Sequence, residues 1–214
     1  MLAPYIHLGL VELIEWPSTD AHAISGVDDY LHCPYQIGAY RDCLKNRAID
    51  KAEWVAIIDV DEYVVPAKSA KAFHAVLETS KKDNVGSLKI HWKTFGTSRV
   101  SHLKPGEWLV EKLIRRAPDN YWVDLTHVKS IHQPKAAANH CRIHDASQVE
   151  EPYHIKTLPL DVCRIHHYWS GTEERCDEKR TFKTPEDKKN HLNELNAVVD
   201  FSIYPYLDHL SPVD

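Results

Sequence analysis

The chain has 214 residues, an ordinary share of apolar and charged side chains, and a formal charge of −5 that gives no reason to expect nucleic acid as a partner. Six Trp and ten Tyr speak against disorder, and five Cys at irregular spacing argue against a disulfide framework and for a reducing compartment. No apolar run approaches the length of a membrane span, and the opening Met1-Leu2-Ala3-Pro4 lacks both the charged and the apolar region of a signal peptide.

Residues 2–8 read as the end of a helix, with Gly9 as its C-terminal stop. Residues 10–16 read as a strand closed by Pro17, and residues 18–33 as a polar loop with Gly26 and the pair Asp28-Asp29. Pro34 suits the first turn of a helix whose apolar stripe is Ile37, Tyr40, Leu44 and Ala48. The run Trp54-Val55-Ala56-Ile57-Ile58 is apolar on both parities and rich in β-branched residues. It therefore reads as a strand buried on both faces, leading into Asp59-Val60-Asp61-Glu62 before Pro66 closes the segment. Ser69 caps a helix with a buried face of Ala72, Phe73, Val76 and Leu77, which runs out in Lys81-Lys82. Strand, helix, strand, helix in this order predicts parallel pairing through right-handed crossovers.

Beyond Asn84 the character changes. Residues 86–92 and 108–114 alternate as strands, separated by a loop with Gly96 and Pro105-Gly106. Short strands follow at 128–131 and 164–168, then helices over 173–183 and 185–199, and a closing tail over 200–210. Nothing of low complexity interrupts the chain, so one domain over 1–214 is predicted, with 1–85 as its first half and a mixed second half over 86–214.

Asp59 and Asp61 stand at alternate positions, which in extended backbone project to one side. The carboxyl end of a buried strand is where open α/β sheets bind ligands. Hard oxygen donors there suit Mg²⁺ or Mn²⁺, with substrate phosphates filling the remaining positions. The plainer reading of any D-x-D is a strand that ends in a solvated acidic turn. A D-x-D phosphohydrolase is a further alternative, but such enzymes place a Gly-Thr-type turn where this chain has Glu62-Tyr63.

Fifteen His are unusual, and seven fall between His127 and His167. The tetrapeptide Cys141-Arg142-Ile143-His144 recurs as Cys163-Arg164-Ile165-His166, and two C-x-x-H pairs have the donors of a Cys₂His₂ zinc site in a non-enzymatic binding module. Against that, positions i and i+3 of a strand face opposite sides, and neither pair carries turn residues. A histidine from this half also has the chemistry to complete a metal site begun by Asp59 and Asp61. Residue type alone does not choose among His144, His166 and His167.

Taken together the segments resemble glycosyltransferase family 92, a group of GT-A enzymes related to family 2. The resemblance runs almost end to end: VELIEWP, QIGAYRDCLKN, WVAIIDVDEYVVP (where the family has D-x-D-E-[FY]), HWKTFGTS, VEKLIRR, VKSIHQP, CRIH and HHYWSGTEERCDEK. It implies an α/β, Rossmann-like GT-A fold with a mixed central sheet, and transfer of a sugar from a UDP-sugar, UDP-galactose being frequent in the family. A glycan or lipid-linked hydroxyl would accept it, and Mn²⁺ or Mg²⁺ would bridge the diphosphate and the acidic motif. Carried over by position, Asp59, Asp61 and Glu62 form the metal and nucleotide-sugar motif, with Asp61 the direct ligand. His167 is the preferred third ligand and His144 the second choice, while Lys129 meets the diphosphate as a point charge. Inversion at the anomeric centre calls for a carboxylate base. Glu107, Glu111 and Asp124 lie in the appropriate half, and Asp124 and Glu111 are carried forward.

One departure stands out. The strand at 10–16 matches the family's second strand, so the first strand and its helix are expected to be missing, leaving the base pocket incomplete and a sheet edge unpaired. The expected location is cytoplasmic with peripheral membrane contact, or the Golgi lumen if the chain is a fragment of a eukaryotic enzyme.

Overall fold

The computed structural model describes residues 2–16 and 34–207. Helix α1 (Ala3–His7) stops at Gly9, whose φ of +68° is the left-handed conformation that glycine adopts without a Cβ penalty. The strand expected over 10–16 does not form. The Leu10 and Val11 amides both donate to the Tyr5 carbonyl, folding the segment back onto α1, and Leu10 and Leu13 are exposed. Pro17 and the polar loop expected over 18–33 lie outside the described residues.

Helix α2 (Pro34–Asp42) widens into a π-helical turn over Cys43–Ala48, and its predicted stripe holds, with Ile37 and Leu44 buried and Tyr40 half-buried. Two strands follow, β1 (Val55–Ile57) and β2 (Glu62–Pro66), and residues 58–61 between them form a turn. Asp59 and Asp61 therefore sit on a turn, and the alternation expected of them in extended backbone does not apply. Helix α3 (Ala70–Lys82) is capped as predicted, Ser69 Oγ accepting from the Ala72 amide at 3.1 Å. Its buried residues are Phe73 and Ser80, with Val76 and Leu77 half-buried and Ala72 exposed, so the apolar stripe lies one position further round than expected.

The centre of the sheet is β3 (Val85–Thr94). One edge pairs antiparallel with β5 (Val128–His132). The other pairs in parallel with β6 (His154–Thr157) and then with β7 (Cys163–His167). With β1 against β5 and β2 against β7, both antiparallel, the order is β1-β5-β3-β7-β2. The parallel pairing expected of the first half is thus corrected. β1 and β2 join opposite ends of the order, and the parallel pairs belong to β3. As the central strand, β3 is buried almost throughout rather than on alternate residues. At its start, a Cβ on Gly86 would stand 2.5 Å from the Ala136 Cβ, so only glycine admits α6 (Pro134–Ala137) so close.

The strand expected over 108–114 is instead a helical turn, α4 (Leu109–Lys112), because Val110 and Leu113, three apart, are the residues that bury. It leads into β4 (Arg115–Arg116), which pairs with β8 (Val198–Val199). Helix α5 (Trp122–Thr126) precedes β5. The C-terminal helices are shorter than predicted: α7 (Glu173–Lys179) and α8 (Pro185–Leu195), capped by Thr172 and Thr184. A 3₁₀ turn, Tyr204–Tyr206, follows. No described helix is long and apolar enough to cross a membrane.

Phe73, Leu88, Ile90, Trp92, Ile131, Cys163 and Ile165 form the main core. Leu44, Ile57, Ala137 and Cys141 form a second cluster, and Val65, Phe95, Leu113 and Tyr168 a third. The two CRIH copies are thus not brought together: Cys141 and Cys163 belong to different clusters, and among the described residues every cysteine is free.

Candidate functional site

The register of β2 on β7 sets Glu62 opposite His167 and Tyr63 opposite His166. It thereby brings the acidic turn against the histidine pair, and the Tyr168 amide fastens the turn by donating to the Asp61 carbonyl at 2.9 Å. Within the turn, the Asp59 amide donates to Glu62 Oε2 at 2.8 Å. Beneath it lies Lys129 from β5, fully buried. Its ammonium donates to Asp59 Oδ2 at 2.8 Å and to the Ile143 carbonyl at 3.3 Å, and it stands 3.5 Å from Glu62 Oε2. A buried cation needs compensating charge and acceptors, and these three groups supply it. Burial pushes the Glu62 carboxyl up to about 7, against the opposing pull of the Asp59 amide and of Lys129.

Asp61 faces outward from this frame. Its Oδ2 accepts from Lys179 Nζ at 3.1 Å, and its Oδ1 stands 3.9 Å from His167 Nε2. His167 is mostly buried, and burial holds its pKa down to about 4 against the opposing charges of Asp61 and Asp59. At neutral pH it therefore presents a neutral ring, the form that ligates metals.

These two donors fit a hard or borderline divalent cation. With bonds of about 2.1 Å to each, one ion spans a separation of this size. Among the described residues no group of three or more His, Cys, Asp and Glu side chains converges as a metal cage.

His167 lines a cleft of about 320 Å³ together with Trp92, Tyr121, His127, His144, Trp169 and Arg180. The Trp92 ring stacks on His127, with centroids 5.0 Å apart, and lies 4.2 Å from the His167 ring. His144 meets the edge of Trp92 at 5.6 Å, and burial, then the charges of Lys129 and His127, lower its pKa.

The structure thus brings Asp59, Asp61, Glu62, Lys129 and His167 together and sets His144 in the adjoining cleft wall. Two of these residues are already engaged by protein groups. Lys129 is spent on the acidic turn and has no exposed surface to offer a diphosphate, and Asp59 is occupied by Lys129 and by the Tyr40 hydroxyl at 3.4 Å. Of the two expected bases, Glu111 is exposed on α4 and is not among the cleft's residues. Glu107, on the loop before it, pairs with Lys112. Asp124 is buried, and its Oδ1 accepts from the Thr94 hydroxyl at 2.6 Å and from the Thr94 amide at 3.0 Å. Thr94 and Val123 both line the cleft, so Asp124 lies one hydroxyl behind its wall. Burial raises its pKa, partly offset by the bonds from Thr94.

Lys179, Trp92 and Trp169 are the residues that sequence reasoning passed over. Lys179 and Trp169 both fall inside the HHYWSGTEERCDEK segment, so the signal for them was position within that motif rather than any local pattern.

The family model for glycosyltransferase family 92 matches residues 1–211. No curated protein matches the chain.

Proposed function

The chain belongs to glycosyltransferase family 92, and from that premise we propose that it transfers a hexose from a UDP-sugar, UDP-galactose first among those to test, to a hydroxyl of a glycan acceptor with inversion. The fold is read as a GT-A arrangement in which Asp61 and His167 hold Mn²⁺ or Mg²⁺. The observation that carries this reading is the approach of Asp61 Oδ1 to the neutral His167 Nε2, 3.9 Å apart, with His167 also lining an aromatic cleft.

A divalent cation bound there supplies charge against the leaving diphosphate and a template for its orientation. Lys129 acts at one remove, fixing the turn that presents Asp61 through Asp59 and Glu62. Trp169, half-buried in the cleft wall, gives a sugar an apolar ring to pack on and helps exclude water from the reacting carbon. Deprotonation of the acceptor hydroxyl falls to Asp124 by way of Thr94. As the acceptor proton passes to Thr94 Oγ1, the Thr94 proton moves across its 2.6 Å bond to Asp124 Oδ1.

The test is release of UDP from a panel of UDP-sugars, with saccharide acceptors and Mn²⁺. Asp61→Asn is expected to abolish both turnover and UDP binding, and Asp124→Asn to cut turnover by about 10²–10⁴-fold with UDP binding retained. Undiminished turnover by Asp61→Asn would overturn the reading.

A further inference from the structure

The two carboxylates of the acidic turn each carry a lysine, and the two lysines differ in kind. Lys129 has no exposed side-chain surface and is locked among Asp59, Glu62 and the Ile143 carbonyl. Lys179 is 27% exposed, at the last turn of α7, and reaches across to Asp61 Oδ2 at 3.1 Å. Its other contacts are the Trp169 carbonyl at 2.8 Å and the face of the Trp169 ring at 5.5 Å. The ammonium is thus held beside the same carboxylate whose second oxygen faces His167. A divalent ion seated on Asp61 and His167 would meet a like charge in contact with its own ligand, 3.1 Å from the other carboxylate oxygen.

Resting on the metal-dependent reading above, we propose that Lys179 is an internal cation that holds Asp61 in the free protein and competes with the divalent ion. When the donor binds, the ammonium passes to the diphosphate. The Trp169 carbonyl and ring serve as its pivot, since both contacts are independent of Asp61. The incoming diphosphate carries more negative charge than the carboxylate it replaces as partner, and it arrives where the ammonium is half-exposed. Lys179 is then a positioning residue that makes metal and nucleotide binding mutually dependent: neither displaces the lysine from Asp61 well alone, and each raises the affinity for the other by the same factor.

The experiment uses the full chain and reads binding, not turnover. Free Mn²⁺ is followed by electron paramagnetic resonance as protein is titrated in, and UDP binding at saturating Mn²⁺ is followed by calorimetry. Lys179→Met is expected to tighten Mn²⁺ binding in the absence of nucleotide by about tenfold, and to weaken UDP binding at saturating Mn²⁺ by a similar factor. Lys179→Arg keeps the charge and should leave both near wild type. Shifts in opposite directions support the proposal. Shifts in the same direction, or no shift, overturn it, because a lysine that merely braces the Trp169 loop has no reason to favour the ion when removed. Asp61→Asn separates the two readings. If it removes Mn²⁺ binding while Lys179→Met changes nothing, the metal site stands and the lysine's role falls. If wild type and Lys179→Met both fail to bind Mn²⁺, both fall.

Discussion

At the scale of the residue, the site depends on one buried charge. Lys129 is fully buried, and its three partners all belong to the acidic turn or the segment beside it. Removing the ammonium leaves Glu62 buried beside Asp59 without a counter-charge. Lys129→Met is therefore expected to destabilise the fold by about 3 kcal/mol, the lower end for a broken buried pair because Asp59 is half-exposed. Denaturant unfolding midpoints check this, and an unchanged midpoint would mean that the turn is held by Tyr40 and the Tyr168 amide alone. Sequence reasoning singled out Lys129, and the structure places its ammonium against Asp59, Glu62 and the Ile143 carbonyl. In VKSIHQP it stands in a short strand where either face is open to a lysine, and only the pairing of β5 with β3 turns it inward. Asp61 was legible because D-x-D-E carries its chemistry in its own letters. Lys179 was not, since its tie to Asp61 joins residues far apart in the chain.

At the scale of the element, strands β5 and β7 bury histidines in a form that makes the fold sensitive to acid. Burial pushes His132 and His167 down to about 4 and His166 to about 3. In the unfolded chain each accepts a proton near pH 6.5, about the ordinary histidine value, whereas the folded chain refuses it until the lower pH. Their stabilising effect is thus complete above that value and is lost as pH falls toward 4, at about 1.4 kcal/mol per unit for each group. The thermal midpoint is expected to drop by roughly 10–25 °C between about pH 7.5 and about pH 5. A flat profile would contradict the neutral, buried state of these rings.

A second prediction belongs to the contact between the loop after β3 and the end of α8. A Cβ on Gly96 would stand 2.5 Å from the Leu195 carbonyl oxygen and 2.6 Å from Asn196 Oδ1. Gly96→Ala must push the two apart and is expected to cost about 1–3 kcal/mol, read as a lowered unfolding midpoint. Loss of less than a few tenths would show that the helix end yields freely. Elements with their own punctuation were readable in advance: Ser69 capping α3, Pro34 opening α2, Pro185 opening α8. The segment at 108–114 was not, because Leu109, Val110 and Leu113 satisfy a strand's alternation and a helix's spacing about equally well, and packing against Phe95 and Tyr168 decides for the helix. The short α5 and β6 hold too few residues for any period to show.

At the scale of the whole molecule, the sheet order explains why a turn near the middle of the first half meets histidines from the second. β2 lies at the end of the order opposite β1 and, among the described strands, pairs with β7 alone, so the acidic turn that precedes it comes against His167, a cleft residue. The α/β class was legible from the alternation of elements. The mixed sheet was implied by the family resemblance and is present, but the strand order was not legible, because it is set by long-range partners that no local pattern encodes. This placement gives the proposed transfer a candidate site: a turn fixed by Lys129, a carboxylate beside a neutral imidazole, and an aromatic cleft lined by that imidazole.

The proposed transfer rests on Asp61 and His167 holding a cation on which nucleotide binding depends. Calorimetric titration of UDP into the purified chain, first with Mn²⁺ and then with EDTA, reads that dependence. Saturable binding is expected with Mn²⁺ and is expected to disappear with EDTA and in Asp61→Asn. Binding of equal strength in EDTA, or in a folded Asp61→Asn protein, would contradict it.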